Sequence, residues 1–378
     1  MRNCLIGLSA LFLLNCQGKS QPESSDALSI PESITPAQAD SVFSYLTPFP
    51  EQTQVAIAII QDTSTVFWGV VRENDTLLTV ENRQAAFEIG SITKVFTSAL
   101  LSQLVLEGKV NLDDPIQQYL SFPLNPKEAN ASRITLKQLA NHTAGLPRLP
   151  GNFNNTVTDQ SNPYKNYGPH ELEAYLHDGL RLQSTPGEQY AYSNLGAGLL
   201  GYILSQVAEQ PYTALLQKRI FTPLHMQNSA AGIEELSANL KFITNSLVIS
   251  GRDPSGNPTS NWELNAMQAA GAILSTTEDL SRFVRANFQE NAAYDLQKEI
   301  TFEVSDELAL GLGWHIRRDA SENWYWHNGG TGGYRSCLVL DERSRQGVIV
   351  LSNVSAFHPS SQNIDKLCFS LMQSFKPQ

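Results

Sequence analysis

The run Val55-Ala-Ile-Ala-Ile-Ile is apolar at six successive positions, and a second run, Val66-Phe-Trp-Gly-Val-Val, follows Asp62-Thr-Ser. Apolar runs of this length, bounded by turn residues, predict two strands. From Ile92 the spacing changes. Ile92, Val95, Phe96, Ala99 and Leu100 fall at helical intervals, and the pattern continues to about Leu106 before Glu107-Gly108. Helical patterns recur near 134–141, 170–178, 194–208 and 211–219, separated by loops rich in Asn, Pro and Gly, notably 147–169. Thr276 to Ala286 predicts a further helix, and Ser275-Thr-Thr-Glu-Asp suits its amino-terminal cap and dipole. Strand patterns return at 309–317, 323–327, 334–341 and 346–353, and 362–375 predicts a closing helix. The order of strands, helices, strands and helix predicts one sheet built from both ends of the chain, with a mostly helical part inserted between. The folded domain is expected over 41–378, its sheet part at about 41–115 and 262–378 and its helical part at about 116–261. No repeat with a period of about 20–50 residues is present.

The amino terminus has its own pattern. Residues 1–16 begin Met-Arg-Asn-Cys, run apolar from Leu5 to Leu14, and end Asn15-Cys16. A basic start and about ten apolar residues predict a secretory signal, and the run falls short of the ~20 residues that span a bilayer. Cys16 after two leucines resembles a bacterial lipobox, although Asn15 stands where Gly, Ala or Ser is usual. The expectation is an exported protein, diacylated on Cys16 and held in the cell envelope by that anchor. Residues 17–40, rich in Ser, Pro, Gln and Glu, are expected to form a flexible tether.

Composition narrows the function classes. The 378 residues are 41% hydrophobic and 17% charged, with a net charge of −11. A net acidic chain without a Lys/Arg block is a poor match to a phosphate backbone, so no nucleic-acid partner is expected. Four cysteines exclude a disulfide scaffold. In an oxidising compartment Cys337 and Cys368 either pair or stand as two buried thiols. Seven scattered histidines and the lack of H-E-x-x-H give no metal expectation, and no cofactor is expected. Gly196-Ala-Gly198-Leu-Leu-Gly201 matches G-x-G-x-x-G but follows Tyr-Ser-Asn rather than a strand, so close helix packing is the better reading. The absence of G-x-S-x-G argues against an α/β-hydrolase.

Three stretches carry candidate chemistry. Ser91 and Lys94 lie three residues apart at a helix start, on one face and within reach of each other. A serine hydroxyl needs a neighbouring base, and a lysine supplies one only if its pKa falls. Free backbone N–H groups at the helix start suit a developing oxyanion. In Tyr190-Ala-Tyr192-Ser193-Asn194 a phenol and an amide stand at the mouth of a helix, where a helix-capping tyrosine is the plainer reading. In Trp326-His327-Asn328-Gly329-Gly330-Thr331-Gly-Gly-Tyr334 four glycines allow close backbone approach, and His327 offers a hydrogen bond to a substrate or a nearby oxygen. Its plainer reading is a glycine-rich turn with a solvated histidine.

In this order the three stretches resemble the serine β-lactamase and penicillin-binding-protein superfamily, and within it the class C β-lactamase, D,D-peptidase and esterase branch, with S-x-x-K, Y-x-N and H-x-G. Gln138-Leu-Ala-Asn-His142-Thr-Ala-Gly-Leu-Pro147, Thr185-Pro-Gly and Ala269-Ala-Gly-Ala-Ile-Leu-Ser-Thr add to it, and it covers about residues 45–375. The resemblance implies an α+β fold, a predominantly antiparallel sheet flanked by helices plus an inserted, mostly helical domain, with the site between them. It implies Ser91 as nucleophile, Lys94 and Tyr192 sharing proton transfers with the base undecided between them, and Asn194 holding Lys94 and a substrate amide. It implies the Ser91 and Gly330 N–H groups as oxyanion hole, with Asn328, Gly329 and Thr331 along the substrate and His327 where class C β-lactamases carry lysine. An ordinary histidine is mostly neutral at pH 7 and supplies no fixed charge for a substrate carboxylate. The expected activity is therefore hydrolysis, through an acyl-enzyme, of D-Ala-D-Ala-type peptides or other small-molecule amides and esters. β-Lactamase or short-chain esterase action is the alternative, and a non-catalytic penicillin-binding or sensing lipoprotein the reading of another class. Oligomeric state is left open.

Overall fold

The six apolar positions after Gln54 form a strand buried on both faces. The computed structural model describes residues 29–239, 248–319 and 322–375. Its strands are β1 (Gln54–Gln61), β2 (Ser64–Glu73), β3 (Thr76–Thr79), β4 (Phe87–Glu88), β5 (Ala230–Ala231), β6 (Ile273–Ser275), β7 (Phe302–Glu303), β8 (Leu308–Leu310), β9 (His315–Asp319), β10 (Glu322–Gly330), β11 (Arg335–Asp341) and β12 (Gln346–Ser352). Among the described residues, nine strands form one sheet in the order β3-β2-β1-β12-β11-β10-β9-β8-β7, every neighbour antiparallel. The sheet joins the two ends of the chain at β1 and β12, with Ile57 opposite Val350.

Alternation along β1 divides the core. Val55, Ile57 and Ile59 face α1 (Pro36–Leu46) and the carboxy-terminal helix, packing with Val42, Leu46, Leu367 and Leu371. Ala56, Ala58 and Ile60 face the opposite layer, with Phe96, Leu100 and Phe283. That layer holds α2 (Thr93–Leu106), then α3 (Leu136–Ala140), α4 (Pro169–Ala174), α5 (Asn194–Ala208), α6 (Tyr212–Leu216), α7 (Ile233–Asn239), α8 (Thr277–Ala286) and α9 (Ala292–Lys298). The chain closes with α10 (Asn363–Gln373). The α+β architecture expected from the sequence is thus present. A short sheet, β4-β6-β5, ties the start of the insert to its end.

The expected tether ends sooner than residue 40, because α1 begins at Pro36. Thr35 Oγ1 accepts from the Gln38 N–H, the Gln38 side chain returns to the Thr35 N–H, and Pro36 sits where its missing N–H costs nothing. Val42 and Leu46 then bury against α10, which a disordered segment cannot do. The expected signal, Cys16 and residues 17–28 lie outside the described residues. Among the described residues no helix is long and apolar enough to cross a membrane. Two smaller differences concern boundaries. Thr276, not Ser275, caps α8, accepting from the Asp279 N–H at 3.0 Å, and the expected strand 309–317 is split into β8 and β9. Cys337 and Cys368 are both buried free thiols.

Candidate active site

Ser91 occupies a 3-10 turn, Gly90–Ile92, between β4 and α2. Two glycines press this turn against the end of β10. Gly90 has φ +51°, and a Cβ there would lie 2.5 Å from the Gly330 nitrogen. A Cβ on Gly329 would lie 1.9 Å from the Ile89 oxygen. Only hydrogen fits at either position, so the Ser91 and Gly330 backbones border one cavity.

One helical turn on, Lys94 is 2% exposed, and its Nζ reaches Ser91 Oγ at 2.9 Å, Asn194 Oδ1 at 3.0 Å and the Ala270 carbonyl at 2.7 Å. Burial, aided by the Arg148 charge, pushes the Lys94 ammonium well below its ordinary pKa. Asn194 opens α5, with Ser193 as N-cap accepting from the Gly196 N–H. The Tyr192 ring lies 4.8 Å from Lys94 Nζ, and its phenol is turned toward Ser91. Burial raises the Tyr192 pKa, so it stays a phenol at neutral pH. Ser91, Lys94, Tyr192 and Asn194, over a hundred positions apart at the extremes, therefore converge.

His327 lies behind this group, its ring centroid 6.2 Å from that of Tyr192, and it is 1% exposed. Its Nδ1 is 2.6 Å from the Asn328 carbonyl, which only accepts, so Nδ1 carries the proton. Nε2 is buried and has no hydrogen-bond partner among the described residues. Burial first, then the nearby His315 and Lys94, hold the imidazole well below its ordinary pKa. A neutral His327 with its proton committed inward is not placed to donate to a substrate. Asn328, Gly329 and Gly330 line the cavity. Thr331 does not, because its buried hydroxyl faces the Glu88 carboxyl instead.

The cavity encloses about 670 Å³. Loop 147–169 supplies one side of it, as its length suggests. Phe153, Tyr164 and Trp262 form an aromatic wall with centroid spacings of 4.8 and 5.2 Å, extended by the exposed Phe357 at 6.5 Å from Trp262. The resemblance to G-x-G-x-x-G is settled by packing. A Cβ on Gly198 would meet Met267 Sδ at 2.8 Å, and one on Gly201 would meet Ala269 Cβ at 2.1 Å. Those contacts seat α5 against 265–270 and so present the Ala270 carbonyl to Lys94. Among the described residues no group of His, Cys, Asp and Glu is placed to hold a metal.

Sequence reasoning missed several residues here. Glu88 is buried at 4% exposure, and its Oε1 accepts from Asn261 Nδ2 at 2.8 Å and the Trp262 N–H at 2.7 Å. Burial pushes its carboxyl up to about 7. His315, on β9, pairs Nε2 with the Tyr190 hydroxyl at 2.9 Å, and burial lowers its pKa to about 4. Arg148, exposed, sits 5.1 Å from the centre of the Tyr192 ring. Glu88 stands three residues before Ser91, but neither periodicity nor spacing marks Arg148 or His315.

A sequence model of the Beta-lactamase family matches residues 44–367. Protein flp of Staphylococcus aureus (strain COL) is 28% identical over 282 residues, covering 71% of this chain and 53% of flp. The chain thus spans about half the length of that relative. A β-lactamase of Pseudomonas fluorescens is 26% identical over 367 residues, covering 85% of this chain and 95% of its own. Among solved structures, the β-lactamase/D-alanine carboxypeptidase of Pseudomonas syringae has a TM-score of 0.72 at 18% identity, covering 90% of this chain and 99% of its own.

Proposed function

Because this chain belongs to the Beta-lactamase family, we propose that it is a serine hydrolase and that Ser91 is the nucleophile of an acyl-enzyme mechanism. The observation that carries the reading is the three-way contact of Lys94 Nζ. Two of its partners, Asn194 Oδ1 and the Ala270 carbonyl, only accept hydrogen bonds. A neutral amine has two hydrogens, and both are taken by those oxygens. Its lone pair is then left facing Ser91 Oγ at 2.9 Å. Lys94 is the base in this proposal, since burial favours its neutral form while it keeps Tyr192 protonated.

Ser91 Oγ attacks the carbonyl carbon of an amide or ester as its proton passes to Lys94 Nζ. The negative charge develops on the carbonyl oxygen, beside the Ser91 and Gly330 backbone nitrogens. Lys94 returns the proton to the leaving group through the Tyr192 hydroxyl, which gives its own proton and is replenished. Water then hydrolyses the acyl-serine in the reverse order of proton transfers. Substrates of the D-Ala-D-Ala type fit this chemistry, as do β-lactams and short esters. The D-alanine carboxypeptidase named for the structural neighbour supports the first of these.

The test is labelling by a fluorophosphonate and by a fluorescent penicillin, with D-Ala-D-Ala peptides, cephalosporins and p-nitrophenyl esters as substrates. Ser91→Ala is expected to abolish labelling and turnover, and no Ser91-dependent reaction with any of them overturns the reading. We also infer export and a lipid anchor from the apolar run and Cys16. Mass spectrometry of the mature amino terminus should find a diacylated Cys16, and an unmodified residue other than Cys16 there refutes it.

A further inference from the structure

The walls of the cleft are unevenly charged. Arg148 and Arg335 line it, and among the described residues no Asp or Glu does, although the whole chain carries −11. The two arginines are not equivalent. Arg335 Nε is 3.1 Å from Asp365 Oδ2, and Nη2 reaches the same oxygen, so its charge is answered within the protein. Among the described residues no carboxylate pairs with Arg148. Its guanidinium lies over the Tyr192 ring, and its backbone is fixed, because the Arg148 carbonyl accepts from the Asn194 and Leu195 N–H groups at 3.0 and 3.2 Å. The residue that carries this cation is thus tied to the same helix start that holds Lys94. Its charge is felt at Lys94, His142, Tyr164, Tyr190 and Tyr192, all around the cavity. His327, where class C β-lactamases carry lysine, is buried and neutral and adds no charge to this cleft.

We propose that Arg148 is the anion-recognising residue of this cleft, so that its preferred esters or amides carry a carboxylate held by the guanidinium above the Tyr192 ring. The proposal rests on the acyl-enzyme reading above and adds a specificity determinant to it. The guanidinium offers a planar fork of donors that a carboxylate accepts in pairs, and it is weakly hydrated for a cation. The Tyr192 ring covers one face of the guanidinium and leaves its donor edge open to a ligand. The carboxylate has two chemical sources, the acyl part of the substrate or its leaving group, and both chemistries are the same at Arg148.

The experiment measures kcat/KM for two matched pairs. p-Nitrophenyl hemisuccinate against p-nitrophenyl acetate places the charge on the acyl part, and 4-acetoxybenzoate against phenyl acetate places it on the leaving group. Wild type should favour one charged ester over its neutral partner. Arg148→Gln should lower that charged-to-neutral ratio about tenfold, chiefly through KM, and Arg148→Lys should keep part of the preference because it keeps charge without the fork. The pair that responds identifies the source. A ratio unchanged within about twofold for both pairs in Arg148→Gln overturns the proposal, as does a wild type without preference in either pair. Should Arg148→Gln fail to fold, the wild-type preference must itself fall as ionic strength rises, and a salt-independent preference overturns the proposal. Fluorophosphonate labelling of wild-type Ser91 separates the two claims. Labelling with an unchanged ratio removes only the role of Arg148, whereas no Ser91-dependent labelling removes the acyl-enzyme reading and this inference with it.

Discussion

Replacing Gly90 by alanine isolates the contact between the serine turn and the β10 end. The added Cβ would sit 2.5 Å from the Gly330 nitrogen, against about 3.4 Å for an ordinary contact, so the two backbones must part by 3.4 − 2.5 = 0.9 Å. A donor that stands about 2.9 Å from an oxyanion then retreats to about 3.8 Å, outside hydrogen-bonding range. Losing one such donor costs roughly 2.7–4 kcal/mol of transition-state stabilisation, or about 10²–10³ in kcat. The backbone contributes separately, since alanine at φ +51° adds about 1–2 kcal/mol of strain to the fold. Gly108→Ala is the control. Its φ is +68° and nothing lies within 4 Å of its added Cβ, so it carries the strain without the collision. Steady-state hydrolysis of a neutral ester and thermal melting should find both variants less stable, Gly90→Ala the more so because of the collision, and only Gly90→Ala slow. If Gly90→Ala keeps kcat within about threefold of wild type, the pairing of the Ser91 and Gly330 amides across this contact is wrong.

Other consequences follow from buried charge and close packing. Activity should fall as pH drops through the lowered pKa of Lys94, because the base works only when neutral. A pH–kcat/KM profile whose acid limb sits near the ordinary lysine value of 10.5 would contradict that. Glu88 has a folded pKa of about 7 against 4.5 for an unperturbed carboxyl, so its stabilising contribution is complete below about pH 4.5 and lost as pH rises through 7. The difference corresponds to about 3 kcal/mol. Glu88→Gln keeps an acceptor for Asn261 and Trp262 and should remove this loss, which urea midpoints of both proteins at pH 5 and pH 8 would reveal as a flatter variant. Gly201→Ala should cost about 1–3 kcal/mol by forcing α5 off Ala269, and a melting temperature unchanged from wild type would show that this helix has room to spare.

Much of the fold was legible because its principal elements are long and one-sided or wholly apolar. β1, α2, α5 and α10 follow directly from runs that only one period explains. β4, β5 and β7 were not legible, since two residues cannot display a period. α1 was hidden within a Ser/Pro/Gln-rich stretch, although Thr35-Pro36-Ala-Gln38 carried a capping box in plain view. At the site, Ser91, Lys94, Tyr192 and Asn194 were found through their motifs, and the structure brings them together. Spacing cannot report which way an imidazole points, so the inward-facing proton of His327 and the turn of Thr331 toward Glu88 needed coordinates. Arg148 was invisible for a different reason. Its importance lies in the lack of a neighbouring carboxylate, which is a property of space and not of order along the chain.

The junction of β1 with β12 bears on when this protein becomes able to act. Ile57 waits for Val350, and the serine turn at residue 91 waits for the glycines at 329 and 330. Such distant pairing forms slowly and late. Until the segment that carries residues 329 to 352 has been added and paired, the nucleophile is present but the floor beneath its oxyanion is not. Hydrolytic competence therefore arrives as a single event once β10 to β12 are in place, and a chain cut short before β12 would carry its serine and lysine with no assembled cleft in which to use them.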